Sequence, residues 1–327
     1  MKTKIVYIVV SNCNDTYFEQ VYISLISLKE KNCSSISCLV MDSKTKLFID
    51  NLNYKILDYV DELVVVEVPE KYAGAQCSRY LKTNLRHYIS GPYLFVDTDT
   101  VISDSLNEID ELIKDTNIAC VKDAHLPFHE MPTYNLIIRR AQKIGWDDIK
   151  NDDIHFNSGV MFVNDNEYTR DFYKRWHDNW LYEYSKKYYF DQLALARTNR
   201  DFGFPIKEIP GQWNCQIFYG ALQYLYDAKI IHYGGDISKS RAYYFRNHDV
   251  FEELSLTGKI SDLGIRCINN PKTAFVGKAM IIGEDYWDFF WSNLRYEYMH
   301  HKSIYKILDE MVGTFRKISR KIRSEKP

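Results

Sequence analysis

No apolar run reaches the ~18 residues that a membrane-spanning helix needs, so this 327-residue chain carries no spanning segment. Cysteine is sparse. The seven copies (13, 33, 38, 77, 120, 215 and 267) are scattered, odd in number and never spaced C-x-x-C. That excludes a disulfide framework or a cysteine-built zinc site and points to a reducing, cytoplasmic setting. On that reading the sequons at Asn14 and Asn32 are chance matches. An excess of positive charge is also missing. With 42 basic and 44 acidic residues the net charge is −2, too little field for a dedicated nucleic-acid binder. The opening MKTKIVYIVV has an apolar run too short for a signal peptide, and polar Ser11-Asn12 follows at once, so it reads as a first strand. Repeats and low-complexity segments are lacking as well.

What remains is an ordinary globular composition, 46% hydrophobic and 26% charged, with length enough for roughly two domains. The most informative stretch is 93–102, YLFVDTDTVI. Its apolar run predicts a buried strand of a parallel sheet, ending where Asp97 and Asp99 stand either side of Thr98. Open α/β sheets bind ligands at that carboxyl edge. Two carboxylates one residue apart can grip a hard divalent cation, with or without a diphosphate supplying further oxygens. A lone D-x-D is also what a strand ending in a polar turn looks like, so the surroundings decide.

Apolar runs at 4–10, 36–41, 63–68, 118–122 and 160–163, separated by helical patterns, predict an α/β fold with helices on both faces of the sheet. The loop after the first strand, from Val10 through Ser11 and Asn12 to Tyr17, is rich in hydrogen-bonding side chains and suits a nucleotide base. Within 73–89, Arg79, Lys82, Thr83 and Arg86 fall on one arc at 100° per residue, with Cys77, Leu81, Leu85 and Tyr88 opposite. That arc reads either as a solvated face or as a phosphate-neutralising one, and the nearby carboxylates favour the second. Asn157-Ser158-Gly159 reads as a polar turn entering a strand, its glycine open to close approach. Asp191-Gln192 begins a helix, and 229–236 is a strand ending in His232, Gly234 and Gly235, with Lys239 beyond. Past residue 240 the pattern becomes helical and aromatic, giving expected domains of 1–240 and 241–327. From Lys302 the chain carries eight basic and three acidic residues on an amphipathic pattern, the composition of a helix lying on an anionic membrane surface.

Taken in order, S-R-Y-L-K (78–82), D-T-D (97–99), N-S-G (157–159) and H-Y-G-G (232–235) resemble the GT-A-fold glycosyltransferases, above all the retaining family-eight group that includes glycogenin and bacterial lipopolysaccharide galactosyltransferases. The likeness covers about 4–240. It implies a Rossmann-like, mixed but mostly parallel sheet flanked by helices, with a helical C-terminal extension. It further implies transfer of a sugar from a nucleotide diphosphate sugar, a UDP-sugar above all, to a hydroxyl of a cell-surface glycan or lipid-linked saccharide, with retention. Under the resemblance Asp97, Asp99 and His232 hold Mn²⁺ or Mg²⁺. Asn157, Asp191 and Gln192 line the reacting end. Val10, Ser11, Asn12, Tyr17, Arg79, Lys82, Thr98, Ser158, Gly159, Gly235 and Lys239 take the donor. The family places a lysine six residues after the histidine, before Pro-Trp; here Ser238 stands there and Lys239 comes one later.

Two other readings share these residues. D-T-D-T-V also matches haloacid-dehalogenase-type phosphatases, with Asp97 as nucleophile, although that fold puts its nucleophile strand near the beginning. A non-catalytic scaffold would keep the fold without turnover.

Overall fold

The computed structural model describes residues 2–31, 34–150, 153–217, 221–234, 244–246, 248–275, 297 and 301–324. The chain runs β1 (Lys4–Val9), α1 (Tyr17–Glu30), β2 (Ser37–Asp42), α2 (Ser43–Ile49), β3 (Glu62–Val66), α3 (Ala75–Thr83), α4 (Leu85–Tyr88), β4 (Tyr93–Val96) and β5 (Thr100–Ile102). It continues through α5 (Ile109–Leu112), β6 (Ile118–Lys122), α6 (Tyr134–Lys143), β7 (Phe156–Val163), α7 (Glu167–Ser185) and α8 (Gln192–Asp201). Strands β8 (Ile206–Glu208), β9 (Cys215–Gln216) and β10 (Ile230–His232) follow, then helices α9 (His248–Thr257), α10 (Asp262–Asn269) and α11 (Lys302–Ser324). Residues up to Lys278 form one compact unit, and Ala279–Pro327 form a second.

Seven strands make the main sheet in the order β3-β2-β1-β4-β7-β6-β8. β1 to β4 are parallel neighbours, as are β6 and β8, while β7 runs antiparallel to both its neighbours. This is the mixed, mostly parallel sheet that the alternation of elements predicts. Its central strands read as unbroken apolar runs because both faces are covered. Ile5, Tyr7 and Val9 enter the core beneath α1, whereas Val6 and Ile8 enter the core beneath α3, α7 and α8. In β4, Leu94 and Val96 share the first core, and Tyr93 and Phe95 the second. The period of two carries on to Asp97, which follows Phe95 onto the α3 side. A smaller sheet, β5-β10-β9, closes against the first core.

Three local expectations change. The 73–89 helix breaks at Asn84, whose amide donates to the Tyr80 carbonyl (3.0 Å) and so competes with the helical ladder. In consequence Arg86 leaves the cationic arc. It is fully buried, donates to the Gly91, Ile89 and Asn164 carbonyls and stacks over Tyr93. Asn157-Ser158-Gly159 is strand, not turn, because β4 and β6 pair with β7 on either side and Asp97 N–H donates to the Gly159 carbonyl at 2.7 Å. Leu106–Lys114, where the sequence pattern predicts a short helix, is helical only over Ile109–Leu112.

Phe251, Leu254 and Ile268, on α9 and α10, join the core beneath α1. In the second unit, His301 pairs with Glu297 at 2.9 Å just before α11, whose Ile304, Ile307, Met311, Val312 and Phe315 are all exposed. The aromatic helix expected at 284–301 lies outside the described residues except at Glu297 and His301. Among the described residues, no helix is long and apolar enough to cross a membrane.

Candidate active site

The chain leaves the main sheet at Val96 and joins the smaller one at Thr100, so Asp97, Thr98 and Asp99 form the crossing. The antiparallel register of β5 and β10 puts His232 opposite Thr100, and the Tyr233 N–H donates to the Asp99 carbonyl at 3.0 Å. That register brings His232 Nε2 to 3.2 Å from Asp99 Oδ1. Ligating atoms of Asp97, Asp99 and His232 all lie within 4.8 Å of one another. Two carboxylates and an imidazole so placed form a donor set for a divalent cation, and fit Mn²⁺ well. Burial lowers the affinity of His232 for a proton, but Asp99 outweighs burial and raises it. Asp99 is the converse: burial pushes it up, and His232 more than reverses this, holding it below the ordinary carboxylate range. For Asp97 burial prevails over the opposing pull of Lys82, and the adjacent Asp99 adds to it, leaving the carboxyl raised.

A second cluster abuts the first. Lys82 Nζ sits 3.2 Å from Asp97 Oδ1 and 3.4 Å from Asp191 Oδ2, with its ammonium over the Phe95 ring. Arg79 Nε lies 3.6 Å from Asp191 Oδ1, and Ser158 Oγ donates to Asp191 Oδ2 at 2.8 Å. Burial raises the Asp191 carboxyl, but Lys82 and then Arg79 more than offset it, bringing it to about 2. Asp191 is anchored by Trp176, whose indole N–H donates to its carbonyl at 3.1 Å. Thus the cation pair at 79 and 82, expected to neutralise a phosphate-bearing ligand, is paired in the structure with the protein's own carboxylates.

Arg79, Lys82, Asp97 and Asp99 border an open cleft of about 240 Å³ that Val10, Tyr17, Ser78, Phe95 and Thr98 also line, with Gly74 and Ala75 at the α3 N-terminus. Ser11 and Asn12 are spent locally: the Ser11 hydroxyl donates to Asp15, and Asn12 Oδ1 accepts from Asn14 N–H. Gln192 follows Asp191 into α8, its amide directed at the Phe156 carbonyl (3.4 Å). Gly159 does serve close approach, though to the protein itself. A Cβ there would meet His232 Cε1 at 2.4 Å and Asp97 Oδ2 at 2.8 Å. Gly235 and Lys239 lie outside the described residues.

Two polar residues at the site were not among those expected. Asn214 Oδ1 faces His232 Nδ1 at 3.1 Å, and Asp123 Oδ1 accepts from Asn157 Nδ2 at 2.9 Å. Asp123 was readable in principle, since it ends the apolar strand β6 as Asp97 ends β4. Asn214 carried no comparable signal.

The model of glycosyl transferase family 8 matches residues 4–239, most of the chain. The chain belongs to glycosyl transferase family 8. This family-8 glycosyltransferase superposes on an active-site mutant of LgtC with a TM-score of 0.53 at 16% identity, over 82% of this chain and 100% of that one. For the galactosyltransferase LgtC in complex with donor and acceptor sugar analogs the values are 0.51 and 16%, over 80% and 98%. The bifunctional glycosyltransferase WbbM gives 0.50 and 15%, over 72% of this chain and 46% of WbbM, so the chain spans less than half of WbbM's length. Those structures speak for the GT-A architecture alone. No curated protein matches the chain in sequence. Family membership removes the phosphatase and scaffold readings: the protein is a glycosyltransferase, and Asp97 is no phosphatase nucleophile.

Proposed function

We propose that this glycosyltransferase uses a divalent cation, Mn²⁺ ahead of Mg²⁺, to transfer a sugar from a UDP-sugar to a hydroxyl of a cell-surface glycan or lipid-linked saccharide, with retention. The observation that carries the proposal is the convergence of Asp97, Asp99 and His232, the two aspartates lining the cleft and the histidine arriving behind them from far downstream in the sequence. Asp97, Asp99 and Asp191 outnumber the fixed cations Lys82 and Arg79, so the site is short of positive charge until a dication enters. When bound, that ion supplies positive charge to the oxygens of the departing nucleoside diphosphate. The α3 N-terminus supports the same ligand. It opens on the cleft through Gly74 and Ala75, its first turn holds no acid and no side chain caps it.

Arg79 and Lys82 orient Asp191, which with Gln192 faces the sugar end, while Val10 and Tyr17 border the base end and Thr98 the diphosphate. The stereochemical outcome and the role of Gly235 and Lys239 in holding phosphate rest on family membership. Residues 1–240 then constitute the catalytic domain.

The test is release of UDP from a panel of UDP-sugars by the full chain. Turnover with Mn²⁺ and its loss in EDTA are expected, and Asp97→Asn or Asp99→Ala should cost at least about 100-fold with an unchanged circular dichroism spectrum. Near-wild-type turnover in either folded variant would refute the metal assignment.

The exposed apolar face of α11, beside its excess of basic residues, favours one further reading, peripheral binding to an anionic membrane surface. Truncation after His301 should weaken binding to phosphatidylserine-containing vesicles, and unchanged binding would remove the role.

A further inference from the structure

The amide side chains behind the metal site have orientations that can be deduced one from the next, starting from a group with no choice. The backbone N–H of Gly159 can only donate, and it points at Asn157 at 2.9 Å. The Asn157 atom it meets is therefore the oxygen. The Asn157 nitrogen then faces the Asp123 carboxylate at 2.9 Å, where a donor is what the carboxylate requires. Asn157 Oδ1 also meets the Asn214 side chain at 2.9 Å, which must present its nitrogen to it. The Asn214 oxygen is left facing His232 Nδ1 at 3.1 Å. An amide oxygen has no proton to give, so His232 Nδ1 must carry one. Nε2, 3.2 Å from the Asp99 carboxylate, is then the position at which a cation can take the place of a proton while Nδ1–H stays on Asn214.

We infer that Asn214, oriented by Asn157, Gly159 and Asp123, is a positioning residue that locks His232 in the Nδ1–H tautomer and so presents the Nε2 lone pair to the cation. The inference rests on the proposed metal reading for its purpose, but not for its geometry. All the groups concerned are buried: Asn214 and Asp123, Asn157 and His232 have little or no exposure. Water therefore offers no ready replacement for a lost partner, and with a cation in place of the Nε2 proton a ring without Nδ1–H would set two lone pairs, Asn214 Oδ1 and Nδ1, against each other. The Gly159 N–H is the fixed donor from which the other orientations follow, and the Asp97 N–H is held by the Gly159 carbonyl.

Two measurements on the full chain test this. First, nitrogen-15 NMR of wild type with saturating Mg²⁺, the His232 signals assigned by their loss in His232→Gln, should show a proton on Nδ1 and none on Nε2. An unprotonated Nδ1 in the ion-loaded protein would overturn the inference without any variant having to fold. Second, binding of Mn²⁺ alone, read from the free-ion electron paramagnetic resonance signal, should weaken by about 10–100-fold in Asn214→Leu. A smaller loss is expected in Asn157→Ala, which leaves Asn214 in place without its anchor. UDP release by Asn214→Leu should recover at saturating Mn²⁺, which a merely structural lesion would not do. Wild-type Mn²⁺ affinity in a folded Asn214→Leu would overturn the role. Failure of wild type to bind Mn²⁺ would instead defeat the metal reading, and the inference with it.

Discussion

Asp97, at the edge of the cleft, and the buried Asp191 lie near the same ammonium, yet the protein treats them oppositely. Asp191 has Lys82, Arg79 and the Ser158 hydroxyl around it, and its carboxyl is brought to about 2. Asp97 has Lys82 and, more weakly, His232, with Asp99 and Asp191 close by, and burial leaves its carboxyl raised. One aspartate is compensated from within the fold; the other is left wanting charge from outside. On the proposed reading, that difference marks Asp97 as the carboxylate that would take a cation and Asp191 as the one already neutralised, although a single lysine touches both.

Breaking the shared partner should have the largest effect. Lys82→Met leaves Asp191 with only Arg79 and Asp97 with no fixed cation, and should cost about 3 kcal/mol of stability, read by urea unfolding. UDP release should fall with it. A variant as stable as wild type would mean that the two carboxylates do not depend on Lys82.

Gly159→Ala attacks the Asp97 side selectively. Its Cβ would press on His232 and Asp97, and both sit on buried backbone with little room to give. About 1–3 kcal/mol of stability should go, by thermal or urea unfolding, with Mn²⁺ binding weakened as well. Unchanged affinity would show that the ligands can relax.

The Asp191 side is sharpened by pH. Its carboxyl in the folded protein lies below the ordinary 3.8, so its stabilisation is present above that value and fades as pH falls toward about 2. The stability gap between wild type and Asp191→Asn should therefore be steady above about pH 5 and shrink by about 2 kcal/mol between pH 4 and 2. A gap independent of pH in that window would mean that Lys82 and Arg79 do not compensate Asp191 as their distances suggest. The smallest effect belongs to Ser158→Ala, which removes one hydrogen bond from a carboxylate that keeps two cations. About 1 kcal/mol is expected, and a loss as large as that of Lys82→Met would reverse the ranking.

How much of this was legible depends on the range of the interaction. β1, β2, β4 and β6 were visible because a strand covered on both faces must be apolar throughout, and nothing outside the strand is needed to see it. The cationic side of α3 was visible for the same reason, since Arg79 and Lys82 lie three apart on one helix. Arg86 was misjudged where a side-chain hydrogen bond from Asn84 ended the helix, a competition that periodicity does not register. Asn157-Ser158-Gly159 looked like a turn because its residues favour turns. It is strand because β4 and β6 supply hydrogen bonds from both sides, and propensity yields to that context.

By itself, the order of residues determined where carboxylates would stand at the end of a buried strand, which helix would face them with positive charge, and that a histidine would end a later strand. Those are short-range facts of period, burial and terminus. Only the tertiary structure decided that β10 pairs with β5 in the register that carries His232 to Asp99, that Lys82 is divided between two aspartates, and that Asn214 reaches the imidazole from behind. Strand register is set by packing of the whole sheet, and a slip of one residue would turn the imidazole to the opposite face while changing nothing in the sequence.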